Sequence, residues 1–240
     1  MTSPTYIPVF LGSFWRNYTS QGPDIAAYAL TFLQGLNTDV KFNRLLQQYD
    51  VPGQSIQPGR IGKAAFVKTW QPTQLDDNGL RYLLNELQSQ QTIPSDLNGN
   101  NIYILFFPPN SSIKSGGEES CVDNGFCARH SSVSLGSDRF IIMPYLKDGA
   151  CDGRCGASNI FDAYTINLSH EIAETVTNPD INFATSLSSP LSWYNPDSNG
   201  EIGDICSDTK NDEMTVSIAG VVEQNFAVQK IWSNEACMCV

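Results

Sequence analysis

Apolar and polar positions alternate between strand-like and helix-like patterns along the first 110 residues. Short apolar runs at residues 6–12, 64–70 and 101–107 predict buried strands. Between them, residues 24–35 and 75–91 carry apolar side chains at spacings of three and four, the pattern of amphipathic helices. Strands that alternate with helices are typical of β-α-β units, so this half predicts a largely parallel sheet.

The second half of the chain has weaker patterns and is richer in Ser, Gly and Cys. Its pattern predicts two strands at residues 130–134 and 140–145, followed by a long helix at 161–178. A long polar loop at 185–200 and a closing hairpin of strands 215–219 and 226–232 would follow. We expect one α/β domain over residues 1–240, with an α+β arrangement in the second half. Residues 1–110 would form its β-α-β part, and residues 111–240 its cysteine-bearing part. The sheet would be mixed and partly parallel, with flanking helices and disulfide-stabilised loops.

The long helix carries a metal-ligand pattern. Residues 169–174 read Ser-His-Glu-Ile-Ala-Glu, which is the H-E-x-x-H motif of zinc peptidases with Glu174 in place of the second histidine. Positions i and i+4 lie on one helix face, so His170 and Glu174 can bind one ion, and Glu171 can polarise a metal-bound water. An apolar stripe on the opposite face would enter the core: Phe161, Tyr164, Leu168, Ile172 and Val176.

Several residues compete to complete this zincin-like site. Asp180 lies ten residues after His170, where metzincins place a third ligand, although Thr177 stands where their turn needs glycine. Glu201 or Asp204 is the better third ligand, because gluzincin-type peptidases take a Glu from a later segment.

His130 is the only other histidine of the chain. It could stabilise the oxyanion of a peptidase or complete the metal shell. A second interpretation of the 197–201 segment is an Asx turn or a weak Ca²⁺ loop that uses Asp197, Asn199 and Glu201.

Composition limits the function classes. Hydrophobic residues make up 41% of the 240 residues, which is typical of a globular protein, and the net charge is −11. Such an acidic surface would repel nucleic acid and anionic membranes, so we expect neither as a partner. The first residues lack a basic segment followed by an apolar run, so no signal peptide is visible.

The seven cysteines all lie between Cys121 and Cys239. Cys121 and Cys127 are close in sequence, and so are Cys151 and Cys155. Cys206 lies about 30 residues before Cys237 and Cys239. Two short loops and one long closure predict three disulfides and one free thiol, as expected in an oxidising compartment. A zinc-binding cysteine cluster fits the spacings only partly. We therefore expect an extracellular protein whose signal peptide is not part of this chain.

These segments together resemble the exordium-like (phosphate-induced protein) family of secreted plant proteins. The resemblance covers most of the chain and lies in residues 9–15, 98–104, 127–132, 151–155, 169–174 with 177–179, 201–206 and 232–237. It implies secretion, and it implies that one site unites His130, His170, Glu171, Glu174, Glu201 and Asp204. Cys239 and the spacing between Cys121 and Phe126 depart from the plant pattern.

The sequence therefore predicts a secreted, monomeric zincin-like metalloprotein that hydrolyses peptide or protein substrates. In this hypothesis His170, Glu174 and Glu201 or Asp204 hold Zn²⁺, Glu171 is the general base, and His130 assists. The rival hypothesis is a non-enzymatic extracellular binding or signalling protein in which the cluster is structural, with or without a metal.

Overall fold

The computed structural model describes residues 1–69, 73–184, 192–198, 200–218 and 222–240. Its central feature is a six-stranded mixed sheet. The strands are β1 (Thr5–Leu11), β2 (Arg60–Ile61), β3 (Ala65–Val67), β5 (Asn101–Phe106), β8 (Arg129–Ser134) and β9 (Ser137–Met143). Their order is β2-β1-β5-β9-β8, and β3 also pairs with β1. Strand β8 alone runs antiparallel to its neighbour. The predicted mixed, partly parallel sheet is confirmed.

Helices cover both faces of this sheet, because its central strands are apolar on both sides. Alternate residues of β1, β5 and β9 point to opposite faces. One face packs against α1 (Gly22–Thr38), α2 (Val40–Gln47) and α4 (Ile160–Thr177). The other face packs against α3 (Asp77–Ser89), which contributes four buried leucines: Leu80, Leu83, Leu84 and Leu87. The predicted helices at 24–35 and 75–91 correspond to α1 and α3.

Short elements complete the fold. The strands β4 (Gln74–Leu75), β6 (Ser112–Ser115) and β7 (Glu118–Glu119) form a small sheet, and β12 (Trp232–Ser233) pairs with β13 (Met238–Cys239). The strands β10 (Asp212–Ile218) and β11 (Val222–Val228) pair antiparallel, so the predicted late hairpin is confirmed, although β12 and β13 follow it. Its second strand ends at Val228 and does not continue to Trp232 as predicted. Half of the predicted loop at 185–200, residues 185–191 and 199, falls outside the described residues.

Helix α4 is buried on nearly all sides. The predicted stripe from Tyr164 to Val176 lies in the core, but Ser169, Glu171 and Glu174 are buried as well. The helix begins after Asn159, whose side chain accepts a hydrogen bond from the N–H of Phe161, and it ends before Pro179 as predicted. An ordinary surface helix would leave its carboxylates in water, so the burial of these two needs compensating partners.

Three disulfides fix the loops around α4. The predicted number is confirmed, but the predicted local pairing of the first four cysteines is wrong. The bonds are Cys121–Cys151, Cys127–Cys155 and Cys206–Cys239, and Cys237 is an exposed free thiol. The local pairing fails because a hydrogen bond from the N–H of Ala150 to the carbonyl of Cys121 lays the two cysteine-bearing segments side by side. Each cysteine then faces the other segment and not its sequence neighbour.

Candidate metal centre

Helix α4 supplies three side chains to one polar cavity of about 290 Å³. His170, Glu171 and Glu174 all line it, as the helical spacing predicts. The Nε2 atom of His170 lies 3.1 Å from Oε2 of Glu174. Ligands at about 2.0–2.1 Å in a tetrahedral zinc shell are separated by about 3.3–3.4 Å. The pair on α4 is therefore spaced as two ligands of a single ion would be.

Strand β8 brings His130 to the same cavity. His130 lies directly opposite Ile141 of β9, and directly opposite residues of an antiparallel pair share a sheet face. Ile141 belongs to the core on the α4 side, so the imidazole of His130 points toward α4. Its Nδ1 atom lies 3.1 Å from Oε2 of Glu171 and 3.7 Å from Oε2 of Glu174. The residue that the sequence offered as an assistant therefore contacts the motif directly.

The turn at residues 201–206 closes the cavity from the other side. Oε1 of Glu174 accepts hydrogen bonds of 3.0 Å from the backbone N–H groups of Gly203 and Asp204. These bonds tie the turn to α4. They place Oδ1 of Asp204 3.6 Å from Nε2 of His170. The side chain of Glu201 faces the other histidine, with its Oε1 atom 3.5 Å from Nε2 of His130.

The ligand candidates form two sets that share Glu174. His170, Glu174 and Asp204 make one set, and His130, Glu174 and Glu201 make the other. Within each set, one ligand atom from every residue lies within 4.8 Å of the others. The sequence offered Glu201 and Asp204 as alternatives for one position. In the structure each carboxylate accompanies a different histidine.

Asp180 is not brought into the centre. Its Oδ2 atom accepts a 3.0 Å hydrogen bond from Nη2 of Arg139, and its Oδ1 atom accepts one from the N–H of Gly136. Arg139 is buried on β9, so it needs a carboxylate partner. Asp180 belongs to neither ligand set among the described residues. It therefore pairs with a buried guanidinium and does not line the cavity that holds the motif.

Two residues of the centre were missed by the sequence analysis. Gln229 follows β11, and its Oε1 atom lies 3.1 Å from Nδ1 of His170, while its Nε2 donates to the carbonyl of Gly203. Asn178 caps the end of α4 and donates from Nδ2 to Oε1 of Glu201 at 2.9 Å. Outer partners of this kind fix the orientation of a ligand. No spacing rule could identify Gln229, because it reaches His170 only through the folding of the late hairpin.

The cluster concentrates charge in a poorly solvated space. Burial lowers the pKa of His130, but the carboxylates of Glu201, Glu171 and Glu174 outweigh it and raise that pKa to about 9. Burial raises the pKa of Glu201 to about 8, with His130 opposing and Glu174 adding to the rise. A bound divalent cation would favour the deprotonated form of every ligand. The donor set of imidazoles and carboxylates suits Zn²⁺ or Mn²⁺.

Two other metal hypotheses are not supported. Cys127, Cys151 and Cys155 lie close together, but all three are in disulfides, and a thiolate is the species that binds a metal. The Ca²⁺ loop includes Asn199, which lies outside the described residues. Oδ1 of Asn195 accepts hydrogen bonds from the N–H groups of Asp197 and Ser198, which is an Asx turn, and Glu201 faces His130 instead.

The metal-free protein is expected to lose stability as pH rises from about 5 to 9. Glu201 and His130 both have a folded pKa above the unfolded value, so their contribution is complete below the unfolded pKa and is lost above the folded one. Metal binding has the opposite sign, because the ligands must be deprotonated. Calorimetry with chelator and with Zn²⁺ should therefore show a metal-induced rise in Tm that is larger at pH 8 than at pH 5.5. An equal rise at both values would contradict this account.

Gly203 is a position where an added methyl group should damage the centre without removing a ligand. A Cβ atom there would lie 2.6 Å from Nδ1 of His170 and 2.9 Å from Oε1 of Glu174. We expect Gly203→Ala to weaken Zn²⁺ binding by about 10–100-fold, the cost of disturbing an outer partner. A zinc competition titration measures this. Ser207→Ala, directly after this turn and exposed, is the control and should bind zinc as the wild type does.

Comparison of the chain with models of protein families, with curated proteins and with solved structures finds no match. Within the described residues, no helix is long and apolar enough to cross a membrane.

Proposed function

We propose that this protein is a secreted zincin-like metallohydrolase that cleaves peptide bonds. The observation that carries the proposal is the arrangement of His170 with the buried carboxylates of Glu171 and Glu174 on one helix. The half-exposed Asp204 completes a three-ligand set. The resemblance to the exordium-like family and the three disulfides support an extracellular location. A peptide or protein is the proposed substrate, and a monomer the proposed state.

The side chains present fit a zinc ion. Nε2 of His170 lies 3.1 Å from Oε2 of Glu174 and 3.6 Å from Oδ1 of Asp204. Both distances are close to the separation of two ligands in a tetrahedral zinc shell. Zn²⁺ bound there would lower the pKa of a coordinated water and polarise the scissile carbonyl. Two carboxylates and one histidine leave the ion less electrophilic than two histidines would. We therefore propose slow hydrolysis, or a preference for another divalent metal.

Glu171 is the proposed general base. One of its oxygens is held by His130, which leaves the other for a water in the cavity. An ionised carboxylate only accepts hydrogen bonds, so Nδ1 of His130 carries the proton in this pair. Glu171 would take a proton from the attacking water and deliver it to the leaving amine. His130 is thereby a positioning residue for Glu171.

The rival, a non-enzymatic protein with a structural centre, has one observation in its favour. The two backbone hydrogen bonds to Glu174 tie the turn at residues 201–206 to α4, as a structural brace would. Under this rival, Glu174→Ala lowers the melting temperature and Glu171→Gln changes nothing.

A peptide-library assay separates the two candidates. We expect the protein purified without chelator to cleave a subset of peptides, to lose that activity on chelation, and to regain it with added Zn²⁺. A fully zinc-loaded, correctly disulfide-bonded sample that cleaves no peptide in the library would favour the structural rival.

A further inference from the structure

One nitrogen of the cavity has no use in the mononuclear centre. The side chain of His130 is only 3% exposed, and its Nε2 atom has no hydrogen-bond partner among the described residues. This atom faces Oε1 of Glu201 at 3.5 Å, beyond the usual length of a hydrogen bond. A buried polar atom without a partner is rare in a folded protein, so its ligand is to be sought in the cavity.

The tautomer of His130 determines what that ligand is. With a metal ion bound, the imidazole is neutral: Nδ1 keeps the proton that it donates to the carboxylate of Glu171, and Nε2 offers its lone pair to the ion. Nε2 faces the carboxylate of Glu201 at 3.5 Å, so a cation, either a proton or a metal ion, belongs between them. A histidine whose far nitrogen donates to a carboxylate is also the usual form of a metal-bound histidine. Both features indicate a cation at Nε2.

The charge of the cavity agrees with this assignment. Five carboxylates line it together with the two histidines. Glu118 is paired with Arg129, and the other four are Glu171, Glu174, Glu201 and Asp204. One divalent cation would leave these four carboxylates with a net charge of −2 unless His130 or Glu201 retained a proton. A second divalent cation would neutralise them, which removes a large desolvation cost.

We propose that the cavity holds two divalent cations that share Glu174. The first is the ion proposed above on His170, Glu174 and Asp204, so the inference rests on that function for its first site. The second is held by Nε2 of His130, Glu201 and Glu174, with Glu171 and Asn178 orienting its ligands. Carboxylate-bridged pairs of this kind lie about 3.5–4 Å apart in known two-metal hydrolases.

Metal stoichiometry tests the proposal. The full-length, disulfide-bonded protein is stripped with chelator and titrated calorimetrically with Mn²⁺ and with Zn²⁺. We expect two ions per chain for the wild type and for the control Glu118→Gln, which removes a carboxylate that lines the same cavity but belongs to neither set. Glu201→Gln and His130→Gln should each bind one ion, and so should His170→Gln.

Electron paramagnetic resonance of the Mn²⁺-loaded wild type gives an independent readout. Two ions bridged by Glu174 should give an exchange-coupled spectrum, and Glu201→Gln should give that of an isolated ion. The inference would be overturned if the wild type bound only one ion, if Glu201→Gln retained that ion and if His170→Gln lost it. That result would leave the mononuclear site intact. No bound ion at all would overturn both. If a variant fails to fold, the stoichiometry and coupling of the wild type still decide.

Discussion

Replacement of Glu171 by Gln is expected to lower peptide hydrolysis by about 10²–10⁴-fold, the usual contribution of a general base. The amide keeps the size of the side chain and an oxygen that can accept from Nδ1 of His130, so the local geometry should persist. What it loses is the ability to take a proton from water. Steady-state kinetics on a peptide identified in the library assay measure the effect.

Zinc content must be determined on the same Glu171→Gln sample. We expect it to equal that of the wild type, because Glu171 is in neither ligand set of the described residues. Glu235→Gln, an exposed site outside the cavity, is the activity control. Unchanged hydrolysis in the zinc-loaded variant, or loss of the metal, would remove the role assigned to Glu171.

Replacement of Glu174 by Gln is expected to abolish metal binding. Oε2 of Glu174 lies near both histidines, at 3.1 Å from Nε2 of His170 and 3.7 Å from Nδ1 of His130. Its Oε1 atom holds the turn that carries Asp204, so the substitution removes one ligand and loosens another. The loss of affinity should exceed the roughly 10–100-fold that an outer partner is worth.

The Glu174 prediction has a thermal readout. Metal at 100 times its Kd stabilises a binding-competent protein by about 2.7 kcal/mol. The wild type should show a corresponding rise in Tm on addition of Zn²⁺, and Glu174→Gln should show none. Glu118→Gln should respond as the wild type does. A full zinc-dependent rise in the Glu174 variant would place the metal elsewhere.

The core of this fold could be predicted from the sequence because its signals are local. Residues 102–107 form a continuous apolar run, which predicts β5, and α3 follows its leucine spacing with Asp76 as its N-terminal cap. Helix α2 was not predicted, because Val40–Gln47 has only eight residues and is flanked by the polar residues Asp39 and Gln48. The Asp39 side chain caps it by accepting a hydrogen bond from the N–H of Phe42. Two-residue strands such as β2 carry too few positions to show a period.

The residues of the candidate centre that lie close together in sequence could be predicted, and those that meet only through folding could not. His170 and Glu174 follow from one helical turn. His130 could be singled out only because the chain has two histidines. The division of Glu201 and Asp204 between the two histidines depends on hydrogen bonds from the turn to α4, which no spacing encodes. Asp180 pairs with Arg139, because a buried guanidinium needs a carboxylate partner, and the spacing between Asp180 and His170 cannot show this.

The crossed disulfides have a consequence for how the protein is made. Cys121 is six residues from Cys127 but 30 from Cys151, its actual partner. Closing the longer loop in an unfolded chain costs about 1.4 kcal/mol more, roughly a tenfold handicap for the native bond. Rapid oxidation before the sheet and α4 have assembled should therefore accumulate the neighbouring pairs. Samples for metal analysis need a thiol buffer or a disulfide isomerase during oxidation, because a mispaired Cys127 would displace the segment that leads into β8 and His130.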